Sequence, residues 1–309
     1  MICNRCVWVV VPAFEEARLI GAMLRGLPPT LSGVLVVDDA STDDTAGIVT
    51  GFIDEQHENA APSVAPPLFL VRHTQNAGVG AAITTGYRAF LERATDPDAV
   101  CVVMGGDNQM DPHDLAVLVD AIRRGSDYSK GNRFVADQAR SNMPWVRWCG
   151  NIGLTLMTRW ATGLWHISDS QCGYAAISRS ALSRLPLADL YARYGFPNDM
   201  LLHLAELGMS VADVPVRAIY AGERSKIRLP RVAPRIFWML LSGWIRRQCR
   251  AGVMGVVLLL LLAASCLLPF LVLLGAHTGG LALLAMAAVL LALLLSALRE
   301  SRAPCASSH

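Results

Sequence analysis

The chain has 309 residues, a formal net charge of +2, 53% hydrophobic residues and 17% charged ones. A balance this close to neutral excludes a nucleic-acid partner, and so large an apolar share excludes an ordinary soluble enzyme. The length allows one large domain or two small ones.

Residues 6–11 (CVWVVV) form a β-branched run ending at Pro12, which reads as a buried strand. Residues 15–27 carry Ala17, Ile20, Leu24 and Leu27 at helical spacing and stop at Pro28-Pro29. A second strand over 33–37 ends in Asp38-Asp39. Ser41 and Thr42 can then cap a helix that starts near Asp43-Asp44. Residues 68–71 predict a third strand, 78–94 a third helix and 99–103 a fourth strand. Strands with continuous apolar runs, alternating with helices, imply a parallel sheet covered on both faces. The polar clusters Glu15-Glu16, Asp38-Asp39 and Asp107 each follow a strand, so they belong to one cleft at the carboxyl ends.

That cleft lacks the glycine fingerprint of a dinucleotide oxidoreductase. The first strand–helix junction reads PAFEEARLIG, and Gly78-Val79-Gly80 lacks a third glycine. After the fourth strand comes MGGDNQMDP, residues 104–112, which leaves three readings: a metal site with one acid missing, a dead copy, or a turn at Asp111-Pro112. Residues 127–134 (DYSKGNRF) read as a strand entering a polar turn, and Asn198-Asp199 as part of a later helix. Cys3 and Cys6 make one CxxC with no second pair and no nearby histidine, better read as cytosolic thiols than as a zinc or redox site.

Toward the C-terminus, residues 230–249 interleave Ile236, Trp238, Leu240 and Trp244 with Arg235, Arg246 and Arg247, a composition that fits an interfacial helix. Residues 251–275 and 279–298 contain no charge, and each exceeds or reaches the roughly 20 residues of a membrane span. Arg246, Arg247, Arg250, Arg299 and Arg302 flank the pair, whereas the connector Ala276-His277-Thr278 carries no arginine or lysine. The positive-inside rule puts both outer ends, and everything before Arg246, on the cytoplasmic side. The expected division is a catalytic domain over 1–229, an interfacial helix over 230–250, a two-span membrane anchor over 251–298 and a cytoplasmic tail over 299–309.

The segments VVVPAFEEARLI, VLVVDDASTDDT, NAGVGAAITTGY, GGDNQMDP, KGNRF, DSQCGY and VPV…GERSK occur in order over roughly residues 5–230. In that order and spacing the chain resembles glycosyltransferase family 2, nearest its dolichyl- and polyprenyl-phosphate sugar synthases. The resemblance implies a GT-A, Rossmann-like α/β fold: a mostly parallel sheet with helices on both faces, followed by a two-helix transmembrane hairpin. It implies that Pro12, Ala13 and Glu16 lie along the nucleoside of a nucleotide-diphosphate sugar. Asp39 then accepts a base N–H beside its neighbour Asp38, although the same pair could serve as a helix cap. Phe14 and Glu15 depart from the family's PAYNE. Gly105 and Gly106 border the donor, and Gly105 stands where the family has the first acid of DADxQ. Asp107 and Gln109 are left to hold a divalent metal, Mg²⁺ or Mn²⁺, with water replacing the lost carboxylate.

By the same resemblance Arg133 meets the acceptor phosphate, and Lys226 lies in a basic loop that closes over the diphosphate. Asp169 sits by the reacting centre, where it orients the acceptor, assists as a base, or serves as a structural anchor. The implied reaction moves a hexose, with inversion, to a polyprenyl (undecaprenyl or dolichyl) phosphate at the cytoplasmic membrane face. The partners are nucleotide-diphosphate sugar, polyprenyl phosphate and membrane lipid, with no nucleic acid; an oligomer is left open. A transferase acting on another lipid or glycan, or a silent nucleotide-sugar-binding membrane protein, are the alternatives.

Overall fold

The computed structural model describes residues 7–58, 65–134, 145–217 and 229–250. The expected membrane hairpin over 251–298, the tail over 299–309, the basic loop with Lys226, and the Cys3–Cys6 motif lie outside the described residues. Among the described residues no helix is long and apolar enough to cross a membrane.

Seven strands form one sheet in the order β3-β2-β1-β4-β6-β5-β7. They are β1 (Val7–Ala13), β2 (Gly33–Asp38), β3 (Leu68–Arg72), β4 (Val100–Val103), β5 (Tyr128–Asn132), β6 (Ala175–Ser178) and β7 (Val211–Pro215). The first four run parallel, as their apolar runs predict. β6 departs from the parallel expectation: it is antiparallel to β4 and to β5, so the sheet is mixed. Val103 and Lys130 both pair with Ala175, which brings the carboxyl ends of β4 and β5 to the start of β6.

Alternate residues of each strand face opposite cores. Val9, Val11, Val34, Val36 and Val102 pack with helices α1 (Ile20–Gly26), α2 (Thr45–Glu58) and α4 (Leu115–Arg123) on one side. Val10, Leu35, Cys101 and Val103 pack with α3 (Val79–Arg93), α6 (Arg179–Arg184) and α7 (Phe196–Glu206) on the other.

The first helix is shorter than its spacing predicts, beginning at Ile20 rather than at Glu15. Glu15 has a left-handed φ of 57°, and the next backbone N–H groups are claimed from across the loop. Glu15 N–H donates to Ser41 Oγ at 3.0 Å, Glu16 N–H to Thr45 Oγ1 at 2.9 Å and Ala17 N–H to Asp43 Oδ2 at 3.0 Å. Asp43 also accepts from Thr45 N–H at 3.0 Å, so Asp43 caps α2 in place of the expected Ser41 and Thr42.

The expected helix over 230–250 is present as α8 (Leu229–Arg250). Its apolar stripe is used differently from the interfacial reading. Ile236, Leu240 and Trp244, four residues apart, are buried with Ala161 of α5 (Trp145–Thr162) and Leu202 of α7. Trp244 stacks on Trp160 with ring centroids 4.3 Å apart. Phe237 and Trp238 remain exposed, so only part of the helix's apolar surface is open.

Because Asp43 ties two strand-end loops together, Asp43→Ala should lower unfolding free energy by about 1–3 kcal/mol. Denaturation of the full chain in detergent, followed by tryptophan fluorescence, measures this; an unchanged midpoint and slope would contradict the clamp.

Candidate active site

The carboxyl ends of β1, β2 and β4 supply one edge, and the expected donor residues meet there. Asp39 N–H donates to the carbonyl of Ala13 at 2.9 Å, and Gly106 N–H to that of Pro12 at 3.3 Å. A Cβ on Gly106 would stand 3.3 Å from Ala13 Cβ and 3.2 Å from Ile20 Cδ1, so a bare glycine suits this close approach. Glu16 holds its place through the Thr45 hydroxyl, and Glu15 Oε1 accepts from Thr42 N–H at 2.8 Å. The departure from PAYNE is therefore employed in loop closure.

Asp38 and Asp39 are 0% and 2% exposed. Burying a carboxylate in its charged form demands donors. Asp38 accepts from Ser41 N–H at 3.1 Å and Arg72 Nε at 3.2 Å. Asp39 accepts from Ala77 N–H at 2.8 Å and Gly78 N–H at 2.7 Å, and pairs with His73 Nδ1 at 2.7 Å. A carboxylate offers about four lone-pair sites. These contacts take three on Asp39, which leaves it capacity for one further donor such as a base N–H.

The loop after β4 turns sharply at Asn108, with φ 55°. Asp107 is half-buried, and its Oδ1 accepts from Gln109 N–H at 3.2 Å. A Cβ on Gly105 would lie 3.0 Å from that same Oδ1, so an acid at this position would face Asp107 directly. Asp111 is committed elsewhere: it accepts from His113 N–H at 2.9 Å and pairs with Arg217 Nη2 at 3.2 Å. Those donors hold its carboxyl below the usual value against the upward push of burial. The turn reading thus holds for Asp111-Pro112 alone, where Asp111 caps the short 3-10 turn Pro112–Asp114. Among the described residues no group of three or more His, Cys, Asp or Glu side chains could hold a metal. One carboxylate and one amide oxygen nevertheless fit a hard cation that takes its remaining oxygens from diphosphate and water.

Met110 joins this loop to the second half of the site. Its Sδ accepts from Gly105 N–H at 3.2 Å, and its Cε would lie 3.5 Å from a Cβ on Gly173. Tyr174 Oη donates to the Asp111 carbonyl at 2.9 Å. Gly173 and Tyr174, at the end of the segment that carries Asp169, thereby lie against the loop that carries Asp107, an outcome of the reversed direction of β6.

Asp169 is 0% exposed and Arg133 grips it in a fork: Nε to Oδ2 at 2.7 Å and Nη2 to Oδ1 at 3.1 Å. Burial pushes the Asp169 carboxyl up, but Arg133 and Lys130 outweigh burial and hold it below its ordinary value. Lys130, wholly buried, donates through Nζ to the Cys172 carbonyl, and its own pKa is lowered by desolvation. Asp213 of β7 takes Asn132 Nδ2 at 2.7 Å and Ser168 N–H at 3.1 Å, while burial raises its pKa. Gln171 Nε2 reaches Asn198 Oδ1 at 2.8 Å, and Asn198 Nδ2 reaches Thr158 Oγ1 at 2.7 Å, anchoring the Asp169 loop to α7 and α5. Lys130, His73 and Asp213 escape sequence reasoning. The only signal for Lys130 is a charge at an inward position of a strand, and nothing distinguishes the other two from surface residues.

The lowered Asp169 pKa has a defined consequence. Stabilisation by the pair is fully present above the unfolded carboxylate value of about 4 and is lost as pH falls through the lower folded value. Arg133→Ala should cost ~3–5 kcal/mol at pH 7, because it leaves a buried charge without its partner. The difference from the unsubstituted chain should shrink below about pH 4. A difference that stays constant from neutral to acidic pH in urea titrations would overturn the pairing.

Comparison with known proteins places the chain in a family. The model of the family described as "Glycosyl transferase family 2" matches residues 8–185, which spans β1 to β6 and both halves of the site. A UDP-N-acetylglucosamine–dolichyl-phosphate N-acetylglucosaminyltransferase of Methanococcus voltae is 28% identical over 224 residues, covering 71% of this chain and 88% of the relative. An undecaprenyl-phosphate mannosyltransferase of Micrococcus luteus is 31% identical over 217 residues, covering 68% of this chain and 82% of the relative. Among solved structures, glucosyl-3-phosphoglycerate synthase from Mycobacterium tuberculosis, in complex with Mn²⁺, UDP and glucosyl-3-phosphoglycerate, superposes with a TM-score of 0.57 at 20% identity. That likeness covers 78% of this chain and 80% of the other, and identifies the sheet as a GT-A, Rossmann-like fold. On the family match and these relatives, the chain belongs to glycosyl transferase family 2.

Proposed function

We propose that this protein transfers a hexose, with inversion, from a nucleotide-diphosphate sugar to a polyprenyl monophosphate at the cytoplasmic face of a membrane. The observation that carries the reading is the meeting, at one sheet edge, of the Asp107 loop with the loop holding Arg133 on Asp169. Relatives whose names specify dolichyl and undecaprenyl phosphate acceptors support the choice of acceptor. The two uncharged stretches over 251–275 and 279–298 support the membrane.

In this reading Pro12, Ala13, Glu16, Asp38 and Asp39 receive the nucleoside, with Asp39 using its remaining acceptor capacity for a base N–H. Asp107 and Gln109 would hold a divalent cation, which supplies charge neutralisation at the leaving diphosphate. Lys226, in the segment that precedes α8 in the chain, adds positive charge at the diphosphate. Arg133 presents its guanidinium to the acceptor phosphate while Asp169 keeps that guanidinium in one orientation. Phosphate monoesters have a second pKa of about 6, so the acceptor is already a nucleophile at neutral pH. Asp169, held ionised by Arg133 and Lys130, is a weak base. Its role is therefore to orient Arg133, and no proton need be removed.

The single carboxylate makes a direct test. Asp107→Ala should abolish transfer with the fold retained, as read by an unchanged denaturation midpoint. Gly105→Asp sets a second carboxylate against Asp107 Oδ1. It should lower the metal concentration for half-maximal activity severalfold, and should destabilise the metal-free protein through like-charge repulsion. Near-normal turnover of Asp107→Ala in the presence of chelator would refute the assignment.

The acceptor is tested separately. Arg133→Lys retains a charge for Asp169 but not the planar fork. Loss of a charge-assisted contact worth ~1.5–3 kcal/mol should reduce kcat/KM for polyprenyl phosphate by roughly tenfold or more, with the donor KM little changed. Efficient transfer to 3-phosphoglycerate or to a free sugar, with no response to polyprenyl phosphate, would replace the lipid acceptor with a soluble one.

A further inference from the structure

A cleft of about 520 Å³ lies behind α3 and was not anticipated from the sequence. Its floor is the stripe Ala81, Thr84, Thr85 and Arg88. At 100° per residue this stripe faces away from the sheet, since Ile83, Tyr87 and Phe90 hold the sheet side. The end of β3 supplies Arg72, His73 and Gln75, and the segment 187–192 closes the opposite wall. Backbone contact fixes that wall, because Ala81 N–H donates to the Ala192 carbonyl at 3.0 Å.

The chemistry of the lining is one-sided. It holds two arginines and a histidine and no carboxylate. Among the described residues, the side chains of Gln75, Thr84 and Arg88 make no hydrogen bond or ion pair. Thr84 is 7% exposed and lines the cleft beside Arg88. Arg72 already spends Nε on Asp38, and its side chain is 59% exposed at the rim. Guanidinium forks with neighbouring hydroxyls suit a phosphate, while the walls from Leu187 and Leu190 suit an organic body. A volume of this size matches small-ligand pockets and exceeds what inorganic phosphate needs.

We propose that this cleft is a second ligand site, for a small organic phosphate monoester, bordering the expected donor cleft at Arg72 and His73. His73 connects the two. Its Nε2 bonds Thr85 Oγ1 on the cleft floor at 2.9 Å, and its Nδ1 bonds Asp39 Oδ1 at 2.7 Å. A ligand that draws Thr85 toward itself alters the hydrogen bond on one ring nitrogen of His73, and through the other nitrogen the carboxylate of Asp39. The site therefore reads the level of a phosphorylated metabolite and adjusts the group expected to hold the donor base.

The binding test does not use catalysis, so it stands or falls apart from the proposed reaction. Glycerol 3-phosphate is titrated calorimetrically into the full chain in detergent, without metal or nucleotide. Saturable binding is expected, weakened at least fivefold by Arg88→Ala and by Thr84→Val, both with unchanged denaturation midpoints. Binding should persist under saturating nucleoside diphosphate, and the ¹⁵N resonances of His73 should shift on titration. Absence of saturable binding, indifference to Arg88→Ala, displacement by nucleoside diphosphate, or equal affinity for a tricarboxylate would each overturn the proposal.

Discussion

A carboxylate taken out of water at the end of a strand must be met by donors, and the architecture of this protein's working edge follows from that requirement. Asp38, Asp39, Asp114 and Asp169 are all at most 8% exposed. Each is met by a different piece of chain. Asp38 draws in Arg72, Asp39 draws in the turn before α3, and Asp169 draws in Arg133. Asp114 accepts from Arg217 N–H at 2.6 Å, which pulls the end of β7 toward the Asp107 loop. Loops that would otherwise wander over the surface are fixed because a buried charge lies under each of them.

The reversed strand β6 is the second determinant. A wholly parallel sheet would deliver the segment before β6 to the amino edge, far from Asp107. Running antiparallel, β6 begins where β4 and β5 end, so the segment before it, with Asp169, comes to the same edge of the sheet as Asp38, Asp39 and Asp107. Met110 and Tyr174 then bind the two halves by direct contact. The pairing of Arg133 with Asp169 changes what each can contribute. The acid loses basicity, and the guanidinium gains a fixed direction.

The C-terminal helix α8 illustrates how one amphipathic pattern can serve two surroundings. Its buried stripe satisfies the protein through Ile236, Leu240 and Trp244, whereas Phe237 and Trp238 stay exposed beside Arg235. An aromatic pair next to a base is the composition found at membrane headgroups. The stack of Trp244 on Trp160 ties this helix to α5, and the Asn198–Gln171 contact ties α7 to the Asp169 loop. The edge that carries Asp169 and the outward helix thus share one framework.

The sequence by itself determined the strands of the first half and the family, because apolar runs and motif order are local properties of the chain. It also marked Gly105 as the place of a missing acid. It misjudged residues 15–19, where helical spacing lost to N–H groups claimed by Ser41, Thr45 and Asp43 from another strand end. It read Ile236, Leu240 and Trp244 as an interfacial face, since periodicity shows that a stripe is apolar but not what covers it. Only the tertiary structure decided the direction of β6, the fork of Arg133 on Asp169, the burial of Lys130 and the chain Thr85–His73–Asp39. Each of these joins residues far apart in the chain through hydrogen bonds and desolvation, and those forces act on positions in space that local sequence does not encode.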